Sequence, residues 1–286
     1  MANNIIISSD STTDLGKELI ERYNIRIIPL GVTLGTEVYR DSIDITPDEI
    51  YEYHNKTGEL PKTTAANVGE CEDFFTELTK DGDTVIHFTL SAEMSSTYNN
   101  TNIAASDFEN VHVVDTRNLS TGGGLLVLAA AEMAKNGMDA KEIADTCRDL
   151  AKNVSASFVI DSLDYLYKGG RCSALSVLGA NLLKLKPCIE VKNGSMGVGK
   201  KYRGKFKDVL STYVDDVLSD KDNIMEDRVF VTHAGCDADV VDLVVEKVKA
   251  SGIFKEVLVT RAGCTVSSHC GRNTLGVLFI KKTPIA

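Results

Sequence analysis

The chain has 286 residues, a formal net charge of −10 and 43% hydrophobic residues, too apolar for a disordered chain and ordinary for a globular protein of one or two domains. The acidic balance argues against a general nucleic-acid binder, which needs a basic surface to neutralise phosphates. The longest apolar stretch, residues 122–131, is shorter than the ~20 residues of a membrane span, so no stable membrane insertion is expected.

The first residues lack a basic segment followed by a long apolar core, so no secretory signal is expected. The seven cysteines are scattered and form no Cys-x-x-Cys pair, which argues for reduced thiols in a cytoplasmic protein rather than a disulfide framework or a zinc site. His54, His87, His112 and His233 show no metal-ligand spacing, so no metal is expected.

In chain order, Ile5, Ile6 and Ile7 make a β-branched run without polar alternation, as in a strand covered on both faces. It runs into a cluster of capping residues from Ser9 to Asp14, then a helical segment through Tyr23. Residues 25–30 read as a second strand. Thr46-Pro47-Asp48-Glu49 and Asn67-Val68-Gly69-Glu70 each place a capping residue three before an acidic one, the start signal of a helix. Strands follow at residues 84–89 and 111–114, and helices after Ser95, from Gly123 and from Ala140. This β-α repetition predicts a parallel sheet sandwiched between helices, with ligands expected beyond the carboxyl ends of its strands.

The second half reads differently. Residues 155–161 suit a strand, Lys168-Gly169-Gly170-Arg171 a basic turn, and residues 173–185 a small-residue helix. Asn193-Gly194 lies between apolar runs, a strong hairpin signal. An amphipathic helix over 205–218, a strand over 228–232, a helix over 237–250 and strands over 256–259 and 275–281 complete the chain. A hairpin among helices implies a mixed sheet, and a domain change is placed near residue 156, giving domains 1–156 and 157–286.

Few residues suggest chemistry. Thr63, Thr64, Ser95 and Ser96 are hydroxyls expected near helix starts, where orphan N–H groups and the helix dipole favour an anion; the same residues also suit ordinary caps. His269 lies in a polar stretch between two apolar strands, placed to donate to an anion, to act as a base or to serve structure alone. A Ser95–His269 pair lacks an identifiable acidic partner, and Gly-x-Ser-x-Gly is absent around Ser95. Gly122-Gly123-Gly124 lacks a nucleotide-loop pattern and reads as a close-approach turn. Arg171 and the basic run Lys200, Lys201, Arg203 and Lys205 suit either a solvated surface or an acidic partner.

The segment from Ile7 through Asp14-Leu15, Lys62-Thr63-Thr64, the stretch from Leu90 to Asn99 containing Ser95, the stretch from Asp164 through Gly169-Gly170-Arg171 to Pro187, Lys201 with Arg203, and His269-Cys270-Gly271 together resemble the DegV family, in the family's order. The resemblance implies an α/β protein of two domains: an N-terminal three-layer α/β/α domain with a parallel sheet and a C-terminal two-layer α/β domain with a mixed sheet. It implies a long-chain fatty acid held between them, with no catalytic residue and no cofactor. By similarity, Thr63 and Ser95, joined by Ser96 and His269, bind the carboxylate, while Thr64, Arg171, Arg203 and Arg272 lie at the head-group mouth or partner surface. Some family members present the acid to a fatty acid kinase subunit, which is the partner implied here. The sequence departs from the family at Ala65-Ala66-Asn67-Val68, at Ser96, where glycine is usual, and at Arg272-Asn273, where Pro-Gly is usual; Arg272 adds a positive charge.

Burying a methylene is worth ~0.8 kcal/mol, so a chain of about fifteen supplies roughly 12 kcal/mol before ordering costs. An apolar channel therefore suffices for affinity, and neutral hydroxyls suffice to hold the head. Two other readings remain: an acyl hydrolase using Ser95 and His269, and a lipid-sensing regulatory protein.

Overall fold

The computed structural model describes residues 4–172 and 185–285, so the expected helix over 173–185 lies outside the described residues except for its last position. In the first half, β1 (Ile5–Asp10), β2 (Arg26–Ile28), β6 (Thr84–Thr89) and β7 (Val111–Asp115) form a parallel sheet in the order β2-β1-β6-β7. Side chains alternate between its faces. Val85, Val111 and Val113 cluster with Phe75 of α3 (Val68–Thr79) and Ala104 of α4 (Thr97–Ala105). Ile7, Ile86 and Phe88 cluster instead with α1 (Gly16–Arg22), α5 (Thr121–Lys135) and α6 (Ala140–Leu150). The result is the expected α/β/α sandwich.

The predicted capping boxes are both present. One opens α2 (Pro47–Thr57), where the Glu49 carboxylate accepts from the Thr46 N–H at 2.8 Å. The other opens α3, where Asn67 and Glu70 exchange bonds of 2.8 and 3.0 Å.

An additional antiparallel sheet stands beside this sandwich: β3 (Gly31–Leu34), β4 (Glu37–Arg40) and β5 (Lys62–Thr64), in the order β4-β3-β5. Its strands are too short and polar to show a period, which is why the sequence gives no sign of them. Thr63 consequently lies on a strand rather than at a helix start.

The second half builds a seven-stranded mixed sheet, ordered β11-β10-β9-β14-β12-β13, with β8 also paired to β14. Its strands are β8 (Val154–Ser155), β9 (Ser157–Ile160), β10 (Lys186–Lys192), β11 (Ser195–Tyr202), β12 (Ile224–Ala234), β13 (Glu256–Arg261) and β14 (Thr274–Lys281). The residue-156 boundary falls between β8 and β9, both in this sheet. Asn193 and Gly194 turn the β10–β11 hairpin with φ of 51° and 85°, the left-handed pair that Asn-Gly supplies. One sheet face, with Val159, Val229, Val231, Val277 and Phe279, packs on α8 (Phe206–Val217) and α9 (Ala238–Ala250).

The opposite face, with Phe158, Ile160, Phe230 and Leu278, joins the same core as α5. That helix is apolar all round because both halves cover it, from Thr121 to Leu128. Its glycines permit the approach: a Cβ on Gly124 would stand 2.8 Å from Leu15 Cδ2 and 2.9 Å from the Thr13 carbonyl oxygen. Among the described residues no helix is long and apolar enough to cross a membrane.

The polar stretch expected between two strands folds into a short helix, α10 (Cys264–Cys270), packed near α7 (Asp164–Gly169) and α2. Its N–H groups are satisfied across the chain by the carboxyl groups of two buried aspartates. Asp41 accepts from Cys264 N–H at 2.7 Å and Thr265 N–H at 3.1 Å; Asp14 accepts from Gly263 N–H at 2.7 Å and from the Ser120 hydroxyl. Gly263 fits this closeness, since a Cβ would lie 3.0 Å from Ser42 Oγ, 3.2 Å from Asp14 Oδ1 and 3.3 Å from Asp41 Oδ1, and these neighbours would have to give way slightly.

Two consequences are measurable. Burial pushes the Asp14 carboxyl up to about 8, against the stabilising bonds from Ser120 and Gly263. The folded state therefore holds a proton that the unfolded chain has released, so stability falls as pH rises toward the folded value. The buried histidines titrate in part of the same range, so the measurement is a difference: between about pH 5 and 8 the Tm of wild type is expected to fall relative to that of Asp14→Asn. Separately, Gly124→Ala is expected to cost about 1–3 kcal/mol in denaturant unfolding. Gly197→Ala, whose Cβ would meet nothing within 4 Å, should fall within about 0.5 kcal/mol of wild type.

Candidate functional site

The three Ser/Thr-bearing segments picked out above converge with α10 on one cavity of about 550 Å³, partly open to solvent. Its apolar walls are Leu30, Leu90, Met94, Leu119, Met196, Val266 and Cys270, and the residues Thr12, Thr63, Thr64, Ser95, Thr265, His269 and Arg171 also line it. Leu119, Val266 and Cys270 also line a second space of about 330 Å³, which continues past Phe158, Ala234, Ala262 and Leu278 of the second half. A larger cleft of about 940 Å³ beside β10, β11 and α8 has a different character. Its Lys200 is paired with Asp216 and its Lys192 with Glu190.

Thr63 is delivered by β5, where it pairs in register with Val32 of β3. Neighbouring strand residues point to opposite faces. Thr64 covers Gly31, where a Cβ would stand 2.1 Å from the Thr64 hydroxyl, while Thr63 faces α10. There its hydroxyl lies 2.8 Å from His269 Nε2. The imidazole is seated closely: a Cβ on Gly169 would stand 2.7 Å from Nδ1, and Nδ1 is buried without a partner.

Burial, with Arg171 nearby, pushes His269 down to about 4, so the ring is neutral at pH 7. We assign its proton to Nε2, because an unfilled acceptor at Nδ1 costs less than an orphaned N–H. Nε2 then donates to Thr63 Oγ1, which leaves the Thr63 proton available to the cavity.

Ser95 follows β6 in a loop tied down by the Leu90 N–H donating to Asp10 at 2.7 Å and the Ser91 hydroxyl donating to the Gly194 carbonyl at 2.7 Å. Its Oγ accepts from the Thr97 N–H at 3.2 Å and lies 2.9 Å from Thr97 Oγ1. Ser95 is thus a cap of α4 as well as a cavity residue. Thr97 is fully buried, and we assign its hydroxyl as the donor of this pair, since the reverse direction would leave the Thr97 proton without an acceptor. The Ser95 proton is thereby free to point outward. Ser95 and His269 each have a nearer partner, Thr97 and Thr63, and no bond between the two is found among the described residues.

The remaining candidates scatter. Ser96 is exposed at the start of α4 with no side-chain cap bond. Arg171 is exposed at the cavity rim, its guanidinium donating to the Gly169 carbonyl at 2.8 Å. Arg203 is exposed beyond the end of β11; Met196, near the start of that strand, reaches the cavity, and ~20 Å of extended chain separates the two ends. Arg272 turns outward, bonded to Asp48 at 3.1 Å and lying 4.8 Å from the Tyr51 ring centre, and it does not line the cavity. Thr12, Thr97 and Thr265 belong to the site without having been singled out. Asp10 and Asp14 are visible in the sequence only as capping residues, and Asp41 carries no local signal at all.

The donors presented to the cavity are neutral hydroxyls, with one cation at the rim. This set suits an anionic oxygen held without a salt bridge, next to an apolar space that can accept a hydrocarbon. Among the described residues no group of His, Cys, Asp and Glu is arranged to hold a metal ion.

A DegV domain-containing protein of Caldanaerobacter subterraneus is 31% identical over 285 residues, covering 97% of this chain and 99% of its own. The structure of a DegV family protein from Thermus thermophilus, described as fatty acid binding, matches with a TM-score of 0.91 at 28% identity, over 97% of this chain and 99% of that one. A stearic acid-binding protein from Eubacterium ventriosum matches with a TM-score of 0.83 at 28% identity, over 96% and 98%. A family model described as uncharacterised protein, DegV family, matches residues 4–282. The chain therefore belongs to the DegV family.

Proposed function

We propose that the protein is a non-catalytic carrier that binds one long-chain fatty acid between domains 1–156 and 157–286 and presents its carboxylate to a partner enzyme, such as a fatty acid kinase subunit. The observation that carries this reading is the pair of backed hydroxyls: Thr63 held by His269 and Ser95 held by Thr97, at one end of an apolar cavity. Each backing group accepts nothing from the ligand itself; it fixes the hydroxyl oxygen so that the hydroxyl proton points inward. A carboxylate is thereby gripped by neutral donors, which leave its charge available for transfer chemistry in a way that a buried guanidinium would not.

Arg171 at the rim attracts the acid without sitting on it. The adjoining space past Leu119, Val266 and Cys270 offers room for the hydrocarbon tail. The fatty acid binding described for the relatives from Thermus thermophilus and Eubacterium ventriosum supports the ligand class. The partner rests on the resemblance and on the exposed rim position of Arg171.

Native mass spectrometry of the purified protein, followed by lipid extraction, is expected to show one bound fatty acid per chain. Thr63→Ala and Ser95→Ala should each weaken palmitate binding by about 10- to 100-fold, from ~1.5–3 kcal/mol per bond to a charged group, and the double variant should purify empty. If the double variant retains lipid, the hydroxyl grip is wrong. Wild type and Ser95→Ala are expected to show the same absence of thioester and ester hydrolysis; turnover lost in Ser95→Ala would favour the hydrolase instead.

A further inference from the structure

One buried, unpartnered hydroxyl belongs to a residue that lines the cavity and has no role in the carrier reading. Thr265 lies on α10, four residues before His269 and so on the same face of the helix. It lines the cavity, is 5% exposed, and its Oγ1 has no hydrogen-bond partner. Its neighbours differ: Thr12 Oγ1 is bonded to Asp10, Ser267 to the Ala262 carbonyl and Ser268 to the Cys264 carbonyl. The backbone beneath it is fixed, because the Thr265 N–H is one of the donors held by Asp41. A buried hydroxyl left unsatisfied is costly, and valine would fill the same volume without that cost. A hydroxyl that is buried, anchored and unpartnered beside a ligand cavity is therefore best understood as satisfied by the ligand.

We propose that Thr265 Oγ1 is a third hydroxyl donor to the fatty acid carboxylate, alongside Thr63 and Ser95. A carboxylate offers about four acceptor positions on its two oxygens, so two hydroxyls leave capacity for this one. The assignment rests on the carrier reading and adds a residue to its grip.

The test compares wild type, Thr265→Val and Thr265→Ser in direct binding of palmitate and of hexadecanol, which has the same chain but no carboxylate, together with the melting temperature of lipid-free protein. Thr265→Val is expected to weaken palmitate binding by about tenfold or more. Hexadecanol binding should change by less than about twofold, and the lipid-free Tm should hold or rise because an unsatisfied buried hydroxyl has been removed. Thr265→Ser, which restores a hydroxyl, should recover palmitate affinity to within about threefold. Unchanged palmitate affinity in Thr265→Val would overturn the assignment, as would equal losses for palmitate and hexadecanol or a lowered lipid-free Tm, which mark a packing role. Wild-type protein that binds neither probe would overturn the carrier reading itself and the assignment with it; wild-type binding that Thr265→Val leaves intact would overturn the assignment alone.

Discussion

The bonds from residues 263–265 to Asp14 and Asp41 hold the molecule's two halves in one arrangement. A helix as short as α10 gains little from its own hydrogen bonds and leaves its first N–H groups without partners. Here those groups are satisfied by carboxyl groups more than 200 positions away in the chain. The arrangement costs a great deal in desolvation, visible in the raised Asp14 carboxyl. It also sets the direction of α10 and with it the position of His269. The site is therefore as rigid as this contact, and Thr63 meets an imidazole already in place.

The cavity chemistry follows from what burial does to charge. A histidine in water near neutrality is partly cationic, but at this position desolvation keeps it neutral. A neutral ring can fix a hydroxyl without itself bringing a positive charge into the cavity. Thr97 does the same for Ser95 with a buried alcohol in place of a ring. Two unrelated backing groups thus produce the same result, an alcohol oxygen pinned from behind with its proton free. Full positive charge stays at the solvent rim, on Arg171.

Much of this architecture could be read from the residues. Uninterrupted apolar strands at Ile5–Ile7 and Val85–Phe88, the capping boxes at Thr46 and Asn67, and the Asn193-Gly194 turn are local signals, and each became the element it indicates. The β3-β4-β5 sheet was not legible, because three- and four-residue strands with polar faces have no periodicity to detect. Helix α10 was hidden for a related reason. Its stability comes from Asp14 and Asp41 rather than from its own sequence, which is rich in serine, threonine and cysteine, all of them poor helix formers. For the site, Thr63, Ser95 and His269 stand out as residue types that suit an anion, and the resemblance adds their role, whereas Asp41 acts through residues more than 200 positions away and Thr97 and Thr265 carry no local signal. No spacing rule reaches such residues.

Helix α5 has a consequence for traffic through the molecule. Because its apolar surface is shared by both sheets, parting the halves like a clamshell would wet Leu125, Leu126 and Leu128 together with the strand residues packed on them. At roughly 1.5–3 kcal/mol for each large side chain exposed, such gaping is far too expensive to be a working motion. The seam thus stays shut as a unit, and exchange with the cavity is left to its solvent-open side.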